Sequence, residues 1–75
     1  MSNSSDLLNL LNAVDASEGW QEKGGMLVSK KGDIIDFAPA IRKWFIIAKF
    51  GVFEGYETRE DAVKAYIEKR KMKST

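Results

Sequence analysis

The spacing of apolar residues changes along the chain, and each change marks an element. Leu7, Leu8, Leu10, Leu11 and Val14 recur at helical spacing and form one stripe. Ser4, Ser5 or Asp6 offers a side-chain oxygen to the first free N–H groups, and Gly19 offers a stop. The spacing predicts an amphipathic helix over residues 6–17. Its stripe is expected to face the core, with a groove-binding or dimerising helix as the other reading. Glycines then punctuate the chain. Gly24-Gly25 and Lys31-Gly32-Asp33 are turn sequences. Between and after them, Met26-Leu27-Val28 and Ile34-Ile35-Asp36-Phe37 predict a hairpin. Its tip is Ser29-Lys30-Lys31-Gly32, where Lys30 and Lys31 stand as exposed charges.

Pro39 ends whatever precedes it. Residues 41–50 admit two periods. As a helix, they would start at Pro39, stop at Gly51 and bury Ile41, Trp44, Phe45 and Ala48. As a strand, the Trp44-Phe45-Ile46-Ile47 run supplies the bulky and β-branched residues of a sheet centre. The strand is the expected form, paired antiparallel with Val52–Tyr56 across a turn near Phe50-Gly51. Phe45 and Ile47 then point to one face, and Trp44, Ile46 and Phe50 to the other. Only one face can lie under a C-terminal helix. The other needs the N-terminal helix, a second copy or a partner, and the N-terminal helix is the expected cover. The last element runs over residues 58–71. Thr58 and Asp61 fit a capping pattern, Ala62, Val63, Tyr66 and Ile67 make its buried face, and Glu60–Lys64 and Lys64–Glu68 pair on the exposed side. The expected fold is α+β: a small antiparallel sheet of three to four strands packed by a C-terminal helix, with an N-terminal amphipathic helix.

Composition narrows what such a fold can do. Seventy-five residues make one domain with a thin stability margin. Residues 1–5 are expected to fray, and residues 69–75 to form a basic tail. A chain that is 44% hydrophobic, with four Phe, two Trp and two Tyr, is not disordered by composition. With no cysteine there is no disulfide or thiolate ligand, and with no histidine a zinc site would rest on carboxylates alone. The usual general base and thiol nucleophile are likewise missing. Gly51 and Gly55 lack the Lys-Ser/Thr that follows a phosphate-binding loop. Glu57, Glu60 and Asp61 cluster as Mg²⁺ ligands would, but acids at a helix N-terminus need no metal to explain them. The expectation is a protein with no catalytic site, cofactor or metal. The longest strongly apolar stretch, Trp44–Ala48, is far below the roughly 20 residues that span a bilayer, so no membrane contact and a cytoplasmic location are expected.

The formal net charge of +1 favours neither nucleic acid nor an acidic partner. Its distribution is uneven. Asp6, Asp15, Glu18 and Glu22 precede any base, whereas Lys69, Arg70, Lys71 and Lys73 end the chain without an acid. Helix-dipole chemistry accounts for both ends, and a basic contact patch at Lys69, Arg70 and Lys71 is the functional alternative.

One stretch carries a family likeness. Trp44-Phe45-Ile46-Ile47, Gly51-Val52-Phe53 and Tyr56-Glu57-Thr58-Arg59-Glu60-Asp61-Ala62-Val63-Lys64-Ala65-Tyr66 together resemble the sheet-and-helix unit of AP2-like and integrase arm-binding domains. There, a Trp-bearing strand precedes a strand ending in an aromatic-x-Thr cap, and an Ala-rich helix packs across the sheet. The likeness covers residues 42–68. It implies DNA binding through the exposed sheet face, with Arg42, Lys43 and Lys49 reading bases or phosphate, Trp44 packed beside them, and Lys30 and Lys31 adding phosphate contacts. The chain departs from that family in its early strands, which lack arginine, and in Glu54 and Glu57, which would repel phosphate. Its size and balanced charge also resemble small phage or mobile-element accessory proteins that bind or inhibit host machinery. The leading expectation is therefore a protein-binding module. DNA binding is the alternative, and a homodimer stays open.

Overall fold

The computed structural model describes residues 4–73. Helix α1 (Ser4–Val14) brings Leu7 and Leu11, one turn apart, into the core. It begins before the expected start and ends three residues before the expected end; Met1–Asn3 lie outside the described residues. A short 3₁₀ turn, Ala16–Glu18, takes over where the helix was expected to continue. Asp15 caps it by accepting a hydrogen bond from the Ser17 N–H (3.0 Å), and Gly19 closes it in the left-handed region (φ 60°). A Cβ at Gly19 would lie 2.8 Å from the Lys30 side chain, so the position favours glycine on two grounds.

Strands β1 (Gln21–Lys23), β2 (Met26–Val28), β3 (Ile34–Ala38), β4 (Lys43–Ala48) and β5 (Gly51–Tyr56) follow as a five-stranded antiparallel meander in sequence order. The ambiguous middle segment is thus a strand, bounded by turns at Arg42 and Lys49. The sheet has one strand more than the upper expectation. That strand is β1, whose Gln-Glu-Lys sequence gives no apolar alternation; it pairs through its backbone, Glu22 opposite Leu27. Helix α2 (Arg59–Lys73) closes the fold, capped where the Thr58 hydroxyl accepts from the Asp61 N–H (3.0 Å).

The core lies between the sheet and the two helices. Leu7 and Leu11 of α1, Ala62, Val63 and Tyr66 of α2, Trp20, and Leu27, Ile35 and Ile46 of the sheet form one buried cluster. Both helices therefore lie on one face, in two layers. This corrects the expectation that α1 covers the opposite face. Trp20 explains the difference: its indole is buried edge-on against Tyr66, with ring centroids 5.2 Å apart, and holds the α1–β1 connection on the side of α2.

Candidate functional site

With both helices on one side, no other described element packs on the outer face of the sheet. Alternation along the strands fixes what that face displays. Ile46 is wholly buried, so Phe45 and Ile47 point outward. The register then aligns Val28 with Ile34, Ile34 with Ile47, and Ile47 with Val52. These four β-branched side chains form a continuous apolar row across β2, β3, β4 and β5, with Gln21 at its β1 end. The row opens toward β5: Ile47 is 41% exposed and Val52 66%. The next row is mixed, with Asp36 opposite Phe45 and Phe45 opposite Glu54. Lys43 lies beyond, paired with Glu57. On the other side of the apolar row the chain turns, at Lys30-Lys31 between β2 and β3 and at Lys49-Phe50 between β4 and β5. An apolar band thus separates a flank of mixed charge, with Lys23, Asp36, Lys43 and Glu54, from turns that carry Lys30, Lys31 and Lys49.

Both edges of this sheet are poor templates for another strand. Strand β1 is three residues long, polar and fully exposed. Strand β5 carries a bulge: Trp44 pairs with Tyr56 and Phe45 with Glu54, which leaves Gly55 unopposed at φ 97°. Pairing along an edge is disfavoured, and the face remains.

The expected contact residues scatter. Lys30 and Lys31 lie in the β2–β3 turn, where the Lys31 ammonium donates to the Ser17 hydroxyl (3.0 Å). Arg42 and Lys49 are exposed in the turns flanking β4, not on the strand, and Arg42 adopts a left-handed φ of 56°. Lys43 is on the outer face, but Trp44 points to the helix face, edge-on to Phe37 with centroids 5.5 Å apart. Trp44 therefore does not pack beside Lys43. Lys69 sits over the Phe53 ring at 4.3 Å, and Lys71 is exposed. Glu57, Glu60 and Asp61 do not converge: among the described residues no group of three carboxylates is placed to hold a metal.

Arg70 turns inward instead. Its guanidinium donates to Glu18 Oε2 (2.9 Å), to Asp15 Oδ2 (2.6 Å) and to the Tyr66 hydroxyl (3.3 Å). Tyr66 in turn donates to Asp33 Oδ2 (2.7 Å). Asp33 and Ser29 are buried, and the Ser29 hydroxyl accepts from the Asp33 N–H (3.0 Å). The network joins α2 to the 3₁₀ turn and to the β2–β3 loop. Burial, reinforced by the bond to Asp33, pushes the Tyr66 phenol well above its ordinary pKa. Hydrogen bonds from the Ser17 hydroxyl and N–H hold the Asp15 carboxyl below its usual value. Glu18 Oε1 and Trp20 Nε1 are buried without a partner, one on either side of Gly19. The bonds that join Arg70, Tyr66, Asp33, Ser29, Glu18 and Asp15 all run within the fold, which makes the cluster a structural clasp.

A second apolar feature lies between the helices, where Leu10, Ala13, Val14 and Ile67 line a shallow cleft ending on Asp15, Arg70 and Lys71. Leu10 and Val14 are the parts of the N-terminal stripe that the core leaves exposed. Among the described residues no helix is long and apolar enough to cross a membrane. No family model, curated protein or solved structure matches this chain.

Proposed function

We propose that the protein is a non-enzymatic protein-binding module that docks its partner on the outer face of the sheet. The observation that carries this reading is the Val28–Ile34–Ile47–Val52 row, which spans four strands under no helix. Isolated exposed apolar residues are ordinary, but a contiguous row rimmed by charge has the anatomy of an interface. The face suits DNA less well. Asp36 and Glu54 stand on it; of its two strand lysines, Lys43 is tied to Glu57 and Lys23 lies on the edge strand β1.

Affinity capture with the tagged chain tests this, using native cytosol and purified untagged chain as sources of partner. Wild type is expected to retain a stoichiometric partner, and Ile47→Lys to lose it while keeping its far-ultraviolet circular dichroism. Retention undiminished by Ile47→Lys would place the binding surface elsewhere. Binding of random duplex DNA at about 50 mM salt, weakened by removing Arg42, Lys43 or Lys49, would favour the AP2-like alternative.

A further inference from the structure

We propose that one end of the fold is a binding surface for single-stranded nucleic acid, separate from the outer sheet face. The meander places its turns alternately at two ends. The β2–β3 turn, with Lys30 and Lys31, and the β4–β5 turn, with Lys49, lie at the same end. Helix α2 starts at the other end, where the Arg59 guanidinium donates to the Gly25 carbonyl (2.9 Å), and finishes beside these two turns. There Arg70 meets the 3₁₀ turn, Lys69 lies over Phe53, and Lys71 is exposed. Lysines from three elements that are distant in sequence thus share one end.

The acids of this end leave that charge largely standing. Glu18 and Asp33 are buried, and Asp15 is held by Arg70 and Ser17. Glu68, on α2, is the other acid at this end among the described residues. Lys31 donates to a hydroxyl, which keeps its charge intact, and Lys30 lays its stem against Gly19 while remaining exposed. Helix-dipole chemistry accounts for Lys69 and Lys71, but not for Lys30, Lys31 and Lys49, which stand on turns of the sheet. At the opposite end Glu22, Glu57, Glu60 and Asp61 stand in or beside the turns. The net charge of +1 therefore conceals a base-rich end and an acid-rich end. The two lysine turns sit two strand spacings apart, about 10 Å. That is about one Debye length near 0.1 M salt, so their fields overlap on a single polyanion.

An aromatic hollow at the same end selects the kind of polyanion. Phe50, Phe53, Lys69 and Met72 line an open hollow of about 300 Å³ beside Lys49. The Phe50 and Phe53 centroids are 6.0 Å apart, and the Lys69 ammonium rests 4.3 Å from the Phe53 centroid. An unpaired base entering the hollow stacks on Phe53 and displaces Lys69 toward the phosphate that the base carries with it. A duplex keeps its base faces stacked on one another, and an acidic peptide has none to offer.

Fluorescence anisotropy of a labelled random oligonucleotide of about 12 nucleotides, titrated with the full chain at about 20 to 200 mM salt, tests this. The single strand is expected to bind with a dissociation constant of about 10–100 µM at the low-salt end, and a log–log salt slope of about −3 for four lysine–phosphate contacts. Lys30→Glu and Lys49→Glu should each weaken it about fivefold. Lys23→Glu changes the net charge equally at the opposite end and should alter binding less than about twofold. Phe53→Leu, with an unchanged far-ultraviolet circular dichroism spectrum, should weaken the single strand at least about fivefold and leave a duplex of the same sequence unaffected. No binding at about 20 mM salt would overturn the proposal. Losses for Lys23→Glu equal to those for Lys30→Glu and Lys49→Glu would overturn the placement at this end. A duplex bound as tightly as the single strand, or indifference to Phe53→Leu, would overturn the stacking assignment. A labelled polyglutamate peptide bound as tightly as the oligonucleotide would give the surface to an acidic protein instead.

Discussion

Arg70→Ala is expected to cost about 3–5 kcal/mol and leave much of the chain unfolded at 25 °C. Glu18 is the reason. Its side chain is 5% exposed, and Arg70 is its one charged partner among the described residues, so removing the guanidinium leaves a carboxylate in the core without that counter-charge. Asp15 sits in better solvated surroundings and serves mainly to orient the fork. A chain of 75 residues has a total stability of about 4–11 kcal/mol, so the loss is a large share of the whole. Lysine cannot replace arginine here, because one ammonium does not span Glu18, Asp15 and the Tyr66 hydroxyl together. Urea unfolding of the variant measures the cost. If stranded charge is the cause, Glu18→Gln placed in the Arg70→Ala background should recover part of it. A loss below about 1 kcal/mol in the single variant would mean that the clasp holds nothing.

The second large effect separates two neighbours of identical chemistry. Ile46→Ala is expected to destabilise the monomer by about 2–5 kcal/mol, because Ile46 is fully buried beneath both helices. Ile47→Ala should cost less than about 1 kcal/mol at concentrations where the chain is monomeric, because 41% of Ile47 already faces water. The contrast measures the two-layer architecture itself. Had α1 crossed to the other face, both substitutions would be costly. Thermal unfolding at about 5 µM distinguishes the cases, and similar losses at the two positions would contradict the fold as described.

Elements with their own local chemistry were legible in the sequence. The Thr58 cap and the Ala62, Val63, Tyr66 spacing define α2, and the β-branched Ile46-Ile47 pair favours a strand over the helix that Pro39 and Gly51 also allow. Strand β1 was not legible, because Gln21-Glu22-Lys23 owes its conformation to backbone pairing with β2, whereas its side chains resemble a solvated loop. The end of α1 was misplaced because Asp15, read as an ordinary helical position, instead caps a 3₁₀ turn. The side taken by α1 is a tertiary choice. It depends on Trp20 meeting Tyr66 across 45 intervening positions, which no local period encodes. The same applies to Arg70. Its place in a basic run suggests a solvated or ligand-binding cation, while its partners, Glu18 and Asp15, sit at the opposite end of the chain. The surface itself was half visible: alternation assigned Phe45 and Ile47 to one face, but the four-strand row required the register of β2, β3 and β5.

The most direct test of the outer face as the binding surface is a methyl-resolved nuclear magnetic resonance titration of selectively labelled chain with the partner that affinity capture retains. Shifts that move on addition should be confined to the methyls of Val28, Ile34, Ile47 and Val52, while those of Leu10, Val14 and Ile67 in the interhelical cleft stay still. Movement concentrated in the cleft, with the sheet methyls unchanged, would contradict the account.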